Sequence, residues 1–109
     1  MAFDEGTAQR VRDALAGVDD VIEKKMFGGL CFMVSGHMAV GVTGFDLMVR
    51  VGPDLYGEAL QRPHAREMDF TGKALKGFIY VDSGAVSEDD EFNGWITDAL
   101  DFVHGLPPK

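Results

Sequence analysis

The sequence predicts an α+β domain in which helices pack on a single antiparallel sheet. Apolar residues recur with helical spacing near both ends of the chain, and short apolar segments separated by glycine-containing turns fill its middle. The turns between those segments are too short for crossover connections, so neighbouring strands must run antiparallel. The predicted order is α-β-β-β-α-β-β-α with about five strands, and residues 1–109 form one domain.

Three segments are predicted to be helical. The first covers residues 5–17, follows Asp4 as an N-cap and has apolar residues at spacings of three and four. The second covers residues 53–61 and has Pro53 at its first position. The third begins after Ser87 as its N-cap. Its apolar stripe consists of Phe92, Trp95, Ile96, Ala99, Leu100 and Val103.

Five short segments are predicted to be strands, because each has strand length and lies between turns. They are Leu30–Val34, Met38–Val42, Leu47–Val51, residues 67–71 and Phe78–Val81. A first edge segment begins at Lys24 and Lys25 and is a candidate for a further short strand before these five. Gly28 and Gly29 permit a bulge or a sharp bend after it.

The first of these strands is apolar on both faces. Leu30, Phe32 and Val34 point to one side of the sheet, whereas Cys31 and Met33 point to the other. We therefore expect helices or a partner molecule to cover the second side, and a homodimer is one arrangement that would do so.

Composition narrows the class of protein. The chain is 46% hydrophobic and 26% charged, as in ordinary globular domains. No apolar run approaches the roughly 20 residues that span a bilayer, and the amino terminus lacks the basic and apolar regions of a signal peptide. The single cysteine, Cys31, excludes an intramolecular disulfide. We expect a cytoplasmic protein that does not bind membranes.

The net charge of −8 is unevenly distributed. Residues 1–23 and 82–109 are strongly acidic, whereas residues 24–81 carry seven basic and five acidic side chains. The overall field repels phosphate backbones, so direct binding to duplex nucleic acid is not expected. The central basic excess could still form a local patch.

Motifs for catalysis, metal binding and cofactor binding are missing from the sequence. Gly28 and Gly29 precede a strand rather than a helix, so they do not form a phosphate-binding loop. The three histidines are far apart and no His/Cys pair has the spacing of metal ligands. Cys31 lies inside an apolar run, which favours a buried, inert thiol. We therefore expect no enzymatic activity, no metal and no cofactor.

Five basic residues are candidate contacts for an anionic partner, such as an acidic protein surface; the alternative is that they are scattered charges facing solvent. They are Lys24, Lys25, Arg50, Lys73 and Lys76. Arg50 is distinctive because it emerges from an apolar strand. A second hypothesis is a small-molecule-binding protein or minor enzyme, with a pocket between the sheet and the helix over residues 53–61. That pocket would be lined by Met48, Arg50, Tyr56, Phe78 and Tyr80.

Several segments resemble the amino-terminal domain of the TfoX/Sxy family. They are KKMFGGLCF (24–32), GHMAVGV (36–42), LMVRVG (47–52), MDFTG (68–72), KGFIYV (76–81) and the LPPK tail (106–109). The Lys/Arg-x-Met-Phe-Gly-Gly block is the most specific of them, and the tail is similar to that of short, single-domain members. The signature residues, mainly structural in this interpretation, are Met26, Phe27, Gly28, Gly29 and Gly77.

The resemblance implies an α+β fold with helices flanking one antiparallel sheet. The namesakes of the family regulate natural competence and are thought to act with the cyclic-AMP receptor protein at certain promoters. Those regulators carry a second, carboxy-terminal domain, which these 109 residues do not include. No catalytic residues are established in the family, so the resemblance implies a non-enzymatic interaction module, an accessory to transcription regulation through contacts with proteins.

Overall fold

The computed structural model describes residues 3–26, 28–70, 73–82 and 89–107. It confirms the α+β prediction, with the order α-β-β-β-β-α-β-β-α. The elements are α1 (Glu5–Ala14), β1 (Val21–Met26), β2 (Gly29–Val34), β3 (His37–Thr43), β4 (Asp46–Arg50), α2 (Pro53–Ala59), β5 (Ala65–Phe70), β6 (Lys73–Asp82) and α3 (Asp89–His104).

The prediction of about five strands was one strand short. The segment at Lys24 and Lys25 belongs to a six-residue strand, β1, which the sequence hides because its exposed charges break the apolar pattern. The first two helices end at Ala14 and Ala59, earlier than predicted. The proposed N-cap of the last helix, Ser87, lies outside the described residues.

The six strands form one sheet in the order β1-β2-β3-β4-β6-β5, and every neighbouring pair is antiparallel. The first four strands form a meander, of which the short turns predicted the last three strands. After β4 the chain passes through α2 to the edge strand β5, and β6 then returns between β5 and β4. As a result, β4 is an interior strand with β3 on one side and β6 on the other.

The main core lies between the helices and one face of the sheet, which we call the helix side. Val40, Val49 and Ile79 point to this side and are buried against Val11 of α1 and Trp95 of α3. Complete burial of a large apolar side chain contributes about 1.5–3 kcal/mol, so this layer dominates the stability of the fold. The prediction that the apolar stripe of α3 faces the core is confirmed.

The opposite face, which we call the methionine side, carries a second buried cluster. Cys31, Met38, Met48 and Met68 are each at most 7% exposed and pack together. Three partly buried residues pack against them: Met33, Phe78 and Tyr80. Two apolar faces were predicted from the alternation in β2, and the two separate clusters confirm it. A homodimer stays a prediction.

Two polar contacts join distant parts of the chain. Arg12 of α1 makes a two-pronged ion pair with Glu23 of β1, at 2.8 and 3.0 Å. The Nε2–H group of His37, at the start of β3, donates to the carbonyl of Pro107 at 2.6 Å. The first contact fixes α1 to an edge strand, and the second fixes the segment after α3 to the middle of the sheet.

Gly28 and Gly29 lie at the turn from β1 into β2, where the backbone favours glycine at the first position and requires it at the second. Gly28 has a φ of +72°, a backbone conformation that other residues rarely adopt. A Cβ atom on Gly29 would lie 2.1 Å from the carbonyl oxygen of Val42, which is backbone and cannot move aside. The glycine doublet is therefore architectural. Phe27, the signature residue before it, lies outside the described residues, as does the side chain of Met26.

We predict that Gly29→Ala lowers the free energy of unfolding by about 2–3 kcal/mol, because the added methyl group must push β2 away from β3. Gly17→Ala is the matched control, since nothing lies within 4 Å of the added Cβ there; it should change stability by less than about 1 kcal/mol. Urea unfolding followed by Trp95 fluorescence measures both. Equal midpoints for the two variants would contradict the close approach.

Candidate functional site

The structure separates the five predicted contact residues. Lys24 and Lys25 are exposed on the edge strand β1, on opposite faces because they are adjacent in a strand. Arg50 ends the interior strand β4. This strand is the third neighbour of β1 in the sheet, so the two strand axes are about 14 Å apart. Lys73 and Lys76 belong to β6, but their side chains are not among those the structure describes. The described cations therefore form no single basic patch, and Arg50 stands apart.

Arg50 lies between two aromatic rings. Its Cζ atom is 5.3 Å from the ring centre of Phe78 on β6 and 5.3 Å from that of Phe102 on α3. Its Nη1 group donates to the carbonyl of Met38 at 3.4 Å, at the long end for a hydrogen bond. Partial burial lowers the pKa of Arg50 from its ordinary value. The result is a partly desolvated guanidinium held by ring faces.

Two other arginines are arranged differently. The guanidinium of Arg66 lies 5.0 Å from the ring centre of Tyr80 and donates to Asp46 at 2.5 Å. That of Arg62 lies 4.8 Å from the ring centre of Trp95 and donates to Asp98. The hydrogen bond to the carboxylate raises the pKa of each arginine. Among the residues that the structure describes, no carboxylate forms an ion pair with Arg50.

The backbone at the end of β4 is held firmly in place. The N–H groups of Val51 and Gly52 both donate to the carbonyl of Gly77, at 2.8 and 3.1 Å. Gly52 has a φ of +84°, and a Cβ atom there would lie 2.3 Å from the Phe102 ring. The absence of a side chain at Gly52 therefore allows Phe102 to reach the sheet beside Arg50. The signature residue Gly77 thus contributes its backbone carbonyl to the end of β4.

The pocket expected between the sheet and α2 does not contain the five residues assigned to it. Tyr56 packs against the helix-side core, whereas Met48, Phe78 and Tyr80 pack in the cluster on the methionine side. The reason is the two-residue period of strands, which directs Met48 and Tyr80 away from α2. Arg50 therefore lies beside Phe78, as expected, but not beside Tyr56.

The remaining reactive side chains are dispersed or buried. Burial raises the pKa of the Cys31 thiol to about 11, which confirms the predicted buried thiol. In the described part of the chain, no group of three or more His, Cys, Asp and Glu residues could hold a metal ion. Within those same residues, no helix has the length and apolar character needed to cross a membrane.

Two open grooves lie away from Arg50. One of about 240 Å³ separates α1 from α3, and one of about 350 Å³ lies beside the start of α1. The first is lined by Arg10, Asp13, Ala14, Phe92 and Asn93. The second is lined by Phe3, Asp4, Glu5, Gly44 and Phe45. Neither groove adds a polar side chain to the surroundings of Arg50.

Sequence reasoning missed Phe102. It lies beside the apolar stripe of α3 rather than on it, and nothing in the local pattern links it to a strand far earlier in the chain. The glycine after Arg50 and Val51 is the one available signal, because a glycine at the end of a strand often marks a close approach by another group. The sequence does not say which group approaches.

Comparison with known proteins gives one match. A family model described as the TfoX N-terminal domain matches residues 13–103, which is most of this 109-residue chain. The matched range includes the glycine turn, Arg50 and Gly77, and it confirms the resemblance seen in the sequence. No curated protein and no solved structure matches the chain.

We predict that the Cys31 thiol reacts with Ellman's reagent at pH 8 at least about 100-fold more slowly in the folded protein than in urea, because little thiolate forms when the pKa is about 11. The unfolded thiol loses its proton near its ordinary pKa of 9.0, before the folded one does. Ionisation of this group therefore favours unfolding as the pH rises from about 9 to about 11. Equal reaction rates in both states would contradict the burial of Cys31.

We predict that Gly52→Ala destabilises the domain by about 2–3 kcal/mol, because the methyl group collides with Phe102 and the positive φ disfavours alanine. Gly57→Ala in α2 is the matched control; its added Cβ meets nothing within 4 Å, and alanine favours helix, so stability should be unchanged or raised by up to about 1 kcal/mol. Thermal and urea unfolding measure both. A Gly52→Ala variant as stable as its control would show that Phe102 does not pack closely at the end of β4.

Proposed function

The chain belongs to the TfoX N-terminal domain family, and we propose that it is a non-enzymatic interaction module that acts through contacts with other proteins, as an accessory to transcription regulation. The observation that supports the proposal most is the environment of Arg50. A partly buried guanidinium between two phenylalanine rings has the composition of an interaction hot spot, where arginine and aromatic residues are enriched.

The placement of the reactive side chains also supports a binding role. Cys31 is buried on the methionine side, and the imidazole of His37 is hydrogen-bonded to the carbonyl of Pro107. His64 and His104 are exposed, one before β5 and the other at the end of α3. A general acid or base must lie within hydrogen-bonding reach of a second reacting group. These four residues are not arranged as a nucleophile with its base.

The charge of the chain favours a protein partner over a nucleic acid. The net charge of −8 opposes the approach of a phosphate backbone, and the described cations are dispersed over helices, strands and a connecting segment. A role at promoters would therefore be exerted through a protein that binds the DNA itself. In this scheme the domain contributes specific contacts to a complex.

A small-molecule-binding protein or minor enzyme near Arg50 is the second candidate, and the same residue favours it. A planar guanidinium between aromatic rings can receive a small carboxylate or phosphate compound through paired hydrogen bonds. The two candidates differ in what remains bound to the purified protein: a polypeptide in the first case and a metabolite in the second.

Affinity capture from a cell lysate at native expression separates the two candidates. The tagged chain should recover a protein that then binds the purified chain at a fixed ratio, while an unrelated tagged protein of similar negative charge should not recover it. Native mass spectrometry of the eluted chain provides the second readout. Recovery of no protein together with a bound metabolite would refute the proposal and favour the second candidate.

Direct binding to DNA is tested separately by a gel shift with duplex DNA at physiological salt. No retardation is expected for the chain alone, because its net charge repels the phosphates. Retardation that weakens steeply with added salt would contradict an action through protein contacts alone.

A further inference from the structure

One arrangement of side chains recurs in this domain. At Arg66 and at Arg62 the guanidinium lies against an aromatic ring and also donates to a carboxylate. The ring restricts the plane of the guanidinium, and the carboxylate receives its N–H groups along that plane. Each of these arginines is thus satisfied by both an apolar and an anionic partner.

Arg50 has the first half of this arrangement but not the second. It lies against two rings rather than one, at 5.3 Å from each. A guanidinium has five N–H donors, and the contact with Met38 uses one of them at the long distance of 3.4 Å. Among the Asp and Glu side chains that the structure describes, none comes within 4.0 Å of it.

The carboxylates of the two complete arrangements are already bound to their own arginines. Asp46, at the opposite end of β4, accepts from Arg66, and Asp98 of α3 accepts from Arg62. A shift of Asp46 would cost Arg66 its 2.5 Å hydrogen bond. A shift of Asp98 would leave Arg62 with only the longer contact to Glu58, at 3.5 Å. The fold therefore has an arginine prepared for an anion that these residues do not supply.

We propose that Arg50 is the anchor for a carboxylate of the partner protein, an Asp or Glu side chain that completes the same aromatic–arginine–carboxylate arrangement across the interface. This inference rests on the proposed function and identifies the chemistry of its contact. The carboxylate receives paired hydrogen bonds from Arg50, and apolar atoms of the partner pack beside it on Phe78 and Phe102.

Physical chemistry favours a carboxylate at this position. Partial burial lowers the pKa of Arg50, so the positive charge lacks full hydration and gains more from an anion than a hydrated charge would. The rings hold the guanidinium before the partner arrives, which reduces the entropy lost on binding. Hydrogen bonds between charged partners are also stronger and more directional than those between neutral groups.

The first test observes Arg50 directly in the full chain. The side-chain Nε–H signals of the arginines are followed by NMR during titration with N-acetylglutamate N-methylamide. The matched control is the neutral N-acetylglutamine N-methylamide. The Arg50 signal should shift in a saturable way with the glutamate compound alone, and at lower concentration than the signals of Arg62 and Arg66. No saturable shift of Arg50, or an equal shift with the glutamine compound, would overturn the proposal.

A parallel titration with inorganic phosphate at equal ionic strength distinguishes the kind of anion. Weaker binding of phosphate than of the glutamate compound supports a carboxylate ligand. Tighter binding of phosphate at Arg50 would overturn the assignment to a carboxylate.

The second test compares two arginine variants in binding to the captured protein. Arg50→Gln should weaken binding by about tenfold or more, because it removes a charged hydrogen-bond donor. Arg66→Gln is the matched control, since that arginine also lies on an aromatic ring but already has its carboxylate; it should bind within about twofold of the wild type. Equal binding by the wild type and Arg50→Gln would overturn the anchor while leaving the proposed function intact.

Two further measurements distinguish failure of the Arg50 anchor from failure of the proposed function. Arg50→Lys retains the charge without the planar fork and should bind with intermediate strength; circular dichroism checks that each variant is folded. If the lysate yields no binding protein, the proposed function fails, and the NMR titration alone then decides whether Arg50 takes a carboxylate.

Discussion

The two-residue period of β4 is the constraint on which the rest of the structure depends. Leu47 and Val49 turn toward the helices and join the main core, whereas Met48 and Arg50 turn toward the other face. Because β4 carries large apolar side chains on both faces, both faces are packed, and a second buried cluster forms on the methionine side. A shift of one residue in its pairing with β6 would turn Arg50 into the main core and Leu47 to the methionine side.

That constraint explains how a domain with so much negative charge can present an isolated cation. The strand directs Arg50 away from the helices, and Phe102 reaches it only because Gly52 has no side chain. Acidic residues elsewhere are matched with other arginines, as Glu23 is with Arg12. The packing of apolar residues, rather than an excess of basic ones, thus creates the candidate interaction site.

The sequence was sufficient for the fold class because alternation and turn length are local properties. Alternation placed Leu30 and Cys31 on opposite faces and identified Arg50 as unusual. The strand β1 was left out of the predicted strand order, because its exposed Lys24 and Lys25 interrupt the apolar pattern of a strand. The surroundings of Arg50 were beyond sequence reasoning, because Phe102 comes from a helix near the other end of the chain. Contacts of this kind depend on how elements pack, and no local pattern encodes them.

We propose that Arg50 contacts a carboxylate of the partner protein. The most direct measurement is zero-length carbodiimide cross-linking of the Arg50→Lys variant with the captured protein, because this reagent joins an amine only to a carboxylate in contact with it. We expect a cross-link from position 50 to an Asp or Glu side chain of the partner, identified by mass spectrometry. Cross-links from Lys24 and Lys25 with none from position 50 would contradict it.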